Sequence, residues 1–96
     1  MLHLVFKPLT DDVLLQRLAA GDDVVFLENA LLALTRRGKL AAALSEANKR
    51  CRFFALREQL AVRGLLAEEL VGGIEWIDYP GLVALTVKNE LIQSWT

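Results

Sequence analysis

Four short apolar runs constrain this chain more than anything else in it. "LHLVF" (2–6), "DDVVFLE" (22–28), "CRFFAL" (51–56) and "IEWID" (74–78) place aliphatic, β-branched and aromatic residues side by side. A strand with one wet face alternates apolar and polar residues, whereas the first two runs suit strands buried on both faces. That condition is met by a parallel sheet sandwiched between helices. The segments between the runs have helical character. Thr10 can cap a helix whose first turn holds Asp11 and Asp12, whose apolar stripe is Leu14, Leu15 and Leu18, and which Gly21 stops. Residues 29–37 and 40–50 repeat apolar positions at helical spacing, with Leu40, Leu44 and Ala47 on one face and Gly38 between the two segments. A short helix over 58–63 ends at Gly64, a residue suited to a left-handed cap, and "LLAEEL" makes a turn. Pro80 fits the first turn of a last helix reaching Lys88, and "LIQSW" reads as a short edge strand.

Strands alternating with helices imply right-handed crossovers. The expected fold is therefore α/β: three layers, α/β/α, around a small, mainly parallel sheet of four to five strands, flavodoxin-like in outline. Residues 1–96 suit a single domain with one modest core. With 54% hydrophobic residues against 24% charged, the chain is too apolar to cover itself easily, so an exposed patch and a partner to bury it are expected.

Eleven basic and twelve acidic side chains nearly cancel, which argues against strong capture of nucleic acid or an anionic membrane by this chain alone. Six of the cations, Arg36, Arg37, Lys39, Lys49, Arg50 and Arg52, share one stretch whose only acid is Glu46. Cations at helix C-termini are the plain reading, and RNA contact, direct or within a complex, is the alternative. One cysteine cannot form an internal disulfide, "MLHLVFKP" is too short an apolar run for a signal peptide, and no segment has the length of a membrane span. A cytoplasmic, reduced protein is expected.

Ligands and partners of open parallel sheets meet the carboxyl ends of the strands. Those ends are Glu28 with Asn29, Leu56 with Arg57, and Asp78 with Tyr79. Glu28 and Asp78 offer a carboxylate pair for acid–base work, although Asp78 also suits a helix N-cap and Glu28 a solvated side chain. Tyr79 and Trp95 combine an apolar body with a polar handle, as interface residues do; Trp76, inside a strand, suits the core. Cys51 is the sole candidate nucleophile, and Arg50 and Arg52 beside it favour thiolate. It opens a strand rather than closing one, so an inert, structural thiol is the stronger reading. His3 has no second His or Cys at ligand spacing, which points to a hydrogen-bonded histidine rather than a metal site. The pair Gly72 and Gly73 precedes a strand, the wrong polarity for cradling a phosphate, so no nucleotide, flavin or other cofactor is expected.

An initial "MLH", then "GDDVVFLENA", "ALREQLAVRGL", "IDYPGLVALT" and a terminal "SW", in that order, resemble the TusB/DsrH family of small sulfur-relay subunits over almost the whole chain. The resemblance implies a DsrE-like fold and assembly with homologous TusC-like and TusD-like subunits as a dimer of heterotrimers. It also implies a role in relaying persulfide sulfur for 2-thiolation of wobble uridine in tRNA. The sulfur-carrying cysteine would then lie on a sister subunit, leaving this chain non-catalytic; indirect contact with tRNA and self-association of the isolated chain are open expectations beside it. The alternative is a thiol sulfurtransferase in its own right, with persulfide on Cys51. Sulfur-oxidising relatives can carry a cysteine in the first helix where this chain has Leu14, which favours the tRNA branch. Asn29-Ala30 stands where relatives often show Asp-Gly, so no role tied to that acid carries over.

Overall fold

All five strands run parallel. The structure, a computed structural model, describes residues 1–96, except for the side chain of Ala67. The strands are β1 (Leu2–Val5), β2 (Asp23–Phe26), β3 (Arg52–Leu56), β4 (Glu75–Ile77) and β5 (Ile92–Trp95). The helices are α1 (Val13–Arg17), α2 (Ala41–Ala47), α3 (Arg57–Val62) and α4 (Tyr79–Lys88), with 3-10 turns at Glu28–Ala33 and Ala67–Glu69. Among the described residues, no helix is long and apolar enough to cross a membrane.

The sheet order is β4-β3-β2-β1-β5. From β1 to β4 the chain steps steadily one way; it then returns past three strands to lay β5 against the free edge of β1. Right-handed connections running in opposite directions must lie on opposite faces of a sheet. The side chains divide accordingly. On one face, Val5, Val24, Phe26, Phe53 and Ala55 pack against Leu14 and Leu15 of α1, Leu31 of the first 3-10 turn, and Leu44 and Ala47 of α2. Phe26 and Phe53 meet edge-on at 5.5 Å, a geometry worth about 1 kcal/mol beyond the area it buries. On the other face, Leu2, Val25, Phe54 and Leu56 are covered by α4 through Leu85 and, less completely, Leu82. Seventeen buried residues form the first core and six the second, so one layer is thick and the other is a single helix.

The first helix begins later than the capping pattern suggests. Thr10 lies outside it; Asp11 Oδ1 instead accepts the Val13 amide at 3.1 Å, and the N-terminal residue is Asp12. The turn bonded by Asp11 consumes the residues that Thr10 would have placed in a first helical turn. Residues 29–37 do not form an α-helix either. They open with a 3-10 turn closed by i→i+3 bonds, such as Leu34 N to Leu31 O at 3.2 Å, and continue into an antiparallel bridge between Thr35 and Leu70. Trp76 is not core: it is 43% exposed, because β4 is a three-residue edge strand with a neighbour on one side only. Gly64 does adopt the left-handed cap, with φ +68°.

Candidate functional site

Parallel strands end together, so their carboxyl termini form one rim. At β2 the chain leaves the sheet through Glu28, whose φ of 53° makes it the one non-glycine residue in the left-handed region among the described residues. The backbone N–H of Glu28 donates to Gln59 Oε1 of α3, which holds this unfavourable turn in place. Asn29, the next residue, is exposed in the 3-10 turn. At β4 the chain turns on Asp78, whose Oδ1 accepts the Gly81 amide at 2.9 Å and so caps α4. Pro80 sits in that first turn, where no amide donor is needed. Arg57 Nη2 lies 3.9 Å from Asp78 Oδ2, the Tyr79 amide donates to Glu58 Oε2 at 3.4 Å, and Tyr79 itself is 50% exposed.

Glu28 and Asp78 follow β2 and β4, and β3 stands between those strands. Two strand spacings, about 9.6 Å, therefore separate their positions, and Asp78 already serves as a cap. The rim does not join them as a carboxylate pair.

The sheet order reverses direction between β1 and β5, and a crevice of 320 Å³ opens at their carboxyl ends. Its apolar wall is Val5, Leu9, Val13, Leu14 and Trp95, with Lys7 and Asp11 supplying charge. Such reversal points are the usual ligand sites of open α/β sheets. The lining carries neither thiol nor imidazole.

Cys51 lies at the opposite end of the sheet, just before β3, and is buried. Its Sγ donates to the Ala19 carbonyl at 3.2 Å. Burial pushes the thiol's pKa up, and the nearby Arg50 guanidinium only partly offsets that. Arg50 is engaged elsewhere: its two terminal nitrogens donate to Leu18 O at 2.6 Å and Leu15 O at 2.9 Å, satisfying the carbonyl end of α1 from a distant part of the chain. Three more cations of the stretch have partners within the chain. Arg36 donates to Leu70 O, Lys49 pairs with Glu46, and Arg52 pairs with Glu75 while lying over the Phe54 ring. These contacts spread the cations among several internal partners.

His3 is the hydrogen-bonded histidine that the sequence suggested, although its partners were not foreseen. His3 Nε2 donates to Asp22 Oδ2 at 2.9 Å, and Trp95 Nε1 donates to His3 Nδ1 at 3.0 Å. Asp22 also accepts the Ala19 amide at 3.0 Å and the Met1 ammonium at 3.3 Å. Burial alone would raise the Asp22 pKa; the donors from His3, Ala19 and Met1 together outweigh it and hold the carboxyl below its ordinary value. The available signal was a lone histidine inside an apolar run, because a buried imidazole needs partners for both nitrogens. On the other face, buried Asp23 accepts Lys88 Nζ at 3.0 Å and Asn89 Nδ2 at 3.1 Å, fastening the end of α4 to β2.

With this geometry described, comparison with known proteins is informative. A model of the DsrH-like protein family matches residues 7–91. The chain belongs to the DsrH-like family. Among its curated relatives, Protein TusB of Erwinia tasmaniensis is 33% identical over 98 residues, covering 99% of this chain and 100% of that protein. Protein TusB of Photorhabdus laumondii is 31% identical over 84 residues, covering 88% of this chain and 85% of the relative. Two solved structures share the fold: a Methanobacterium thermoautotrophicum protein of unknown function, with TM-score 0.78 and 15% identity over 98% of both chains, and the ychN protein of E. coli. The latter has TM-score 0.76 and 16% identity over 98% of this chain and 97% of its own. In this DsrH-like chain the α1 side chains lining the crevice are the aliphatic Val13 and Leu14.

Proposed function

We propose that this DsrH-like chain is a non-catalytic subunit of a cytoplasmic, heteromeric sulfurtransferase that relays persulfide sulfur for 2-thiolation of wobble uridine in tRNA. Its partners are homologous TusC-like and TusD-like subunits, arranged as a dimer of heterotrimers, and the reacting cysteine belongs to a sister subunit. The observation that carries this reading is the match to the DsrH-like family and to TusB proteins over most of the chain. The state of Cys51 supports it, since a buried thiol bonded to a carbonyl and raised in pKa is a poor nucleophile. The outer surface of α4 supports the partner reading. Tyr79, Val83 and Val87, spaced four residues apart, are 50%, 60% and 81% exposed and make an exposed apolar stripe.

Two measurements test the proposal. Co-expression with the two sister subunits yields one stable hetero-oligomer by native mass measurement; recovery of this chain only as a free monomer contradicts it. Replacing Cys51 with Ser leaves thiouridine levels unchanged, whereas loss of thiolation with assembly intact establishes the competing reading, a sulfurtransferase acting through Cys51.

A further inference from the structure

Of the two strands beside β1, β5 is held by less than β2, which is paired on both sides. β5 has four residues, pairs with β1 alone, and leaves Ile92, Gln93 and Ser94 exposed. Its one large anchor is Trp95, which is half-buried against the thicker core and bonded through its indole nitrogen to His3 Nδ1. An indole N–H only donates, so Nδ1 must present a lone pair while β5 is docked, and the ring's single proton sits on Nε2, facing Asp22. At 3% exposure His3 has little water to replace either partner. An imidazolium in the same place would carry a proton on Nδ1 and set two donors against each other, and Trp95 has no lone pair with which to answer.

The groups around His3 come from every neighbouring element. Asp22, in the turn before β2, favours the imidazolium; the Met1 ammonium and Arg17 of α1, which line the same hollow, oppose it. Gln93 of β5 is neutral, and the Cys51 thiol beside β3 is engaged with Ala19. The Asp22 acceptor is already bonded to Nε2, so a proton on Nδ1 would face the Trp95 indole N–H.

We propose that His3 is a proton-linked latch for β5: the edge strand docks on neutral His3, and protonation of the ring releases Trp95 and loosens the strand. Release also uncovers the outer edge of β1, whose amides at Leu2 and Phe6 bond to Leu91 and Trp95 carbonyls when β5 is docked. A freed parallel edge is a template for another extended segment. By linkage, anything that clamps β5 down makes His3 harder to protonate to the same degree.

The test follows the full chain by NMR as the pH is lowered stepwise from neutrality until the His3 ring signals report its protonation. His3 ring signals, the Trp95 indole N–H and the β5 amide exchange rates are read together, with exchange corrected for its intrinsic pH dependence. Trp76, exposed and without a bond to His3, is the internal reference. The Trp95 indole signal is expected to move toward that of Trp76 along the His3 titration, and β5 amides to open at least about fivefold more often with His3 charged, the loss of one ordinary hydrogen bond. His3→Gln removes that pH dependence. An indole signal unmoved through a complete His3 titration, or opening that keeps its full pH dependence in His3→Gln, overturns the latch. The unsubstituted chain decides the question by itself should His3→Gln fail to fold.

Discussion

Asp22 occupies a turn, yet three donors converge on it: the His3 imidazole, the Ala19 amide and the Met1 ammonium. Because the folded state holds this carboxyl below its ordinary pKa, the stabilisation it gives is present above the unfolded value of about 3.9 and is lost as pH falls through the lower, folded value. Asp22→Asn keeps the shape and removes the charge. The variant is expected to be less stable at neutral pH, with the gap to the parent closing in acid below about pH 4, as read by urea midpoints at stepped pH. A gap of constant size down to pH 3 would mean that Asp22 contributes through shape alone. The neighbouring Asp23, turned to the other face, serves a different end: it anchors α4 through Lys88 and Asn89. Adjacent acids, one just before β2 and one opening it, thus support opposite layers.

At the scale of elements, α4 depends on its cap. Asp78→Ala removes the bond to the Gly81 amide and is expected to cost about 1 kcal/mol, measured as a shift in urea midpoint with unchanged slope. This cap was legible in the sequence because Asp-Tyr-Pro-Gly places an acceptor and a proline where a helix start needs them. The strands were legible too: a run such as "VVFL" suits a doubly covered sheet, and the short β5 showed as an edge strand in "LIQSW". Much of the second crossover was not. Residues 29–37 show helical spacing, but spacing cannot reveal that Thr35 would bridge to Leu70, a contact between segments remote in sequence. Trp76 was misjudged for a related reason: its run is apolar, but exposure depends on whether its strand lies at the edge of the sheet, which sheet order alone determines. At the candidate site, the Asp78 cap was readable locally. The left-handed turn at Glu28 was not, since it is held by Gln59 from another element.

For the molecule as a whole, the unequal helical layers explain where a partner would bind. The thick layer contains most of the buried core, while α4 alone covers the other face and turns Tyr79, Val83 and Val87 outward. Placing charge on that stripe with Val83→Glu and Val87→Glu together should leave the isolated chain folded, because both side chains are already exposed, and should abolish co-purification with the sister subunits. Circular dichroism and pull-down read the two halves of that expectation; retained assembly would show that the stripe is not the contact. The sheet order has a consequence for biosynthesis as well. His3 and Trp95, which meet across β1 and β5, are 92 residues apart. At roughly 5–20 residues per second, β1 waits on the order of ten seconds on the ribosome with its flank bare before its last neighbour is translated. The nascent chain is therefore most vulnerable to mispairing with its copies during its own synthesis, and a chaperone or an early-binding subunit would be most useful then.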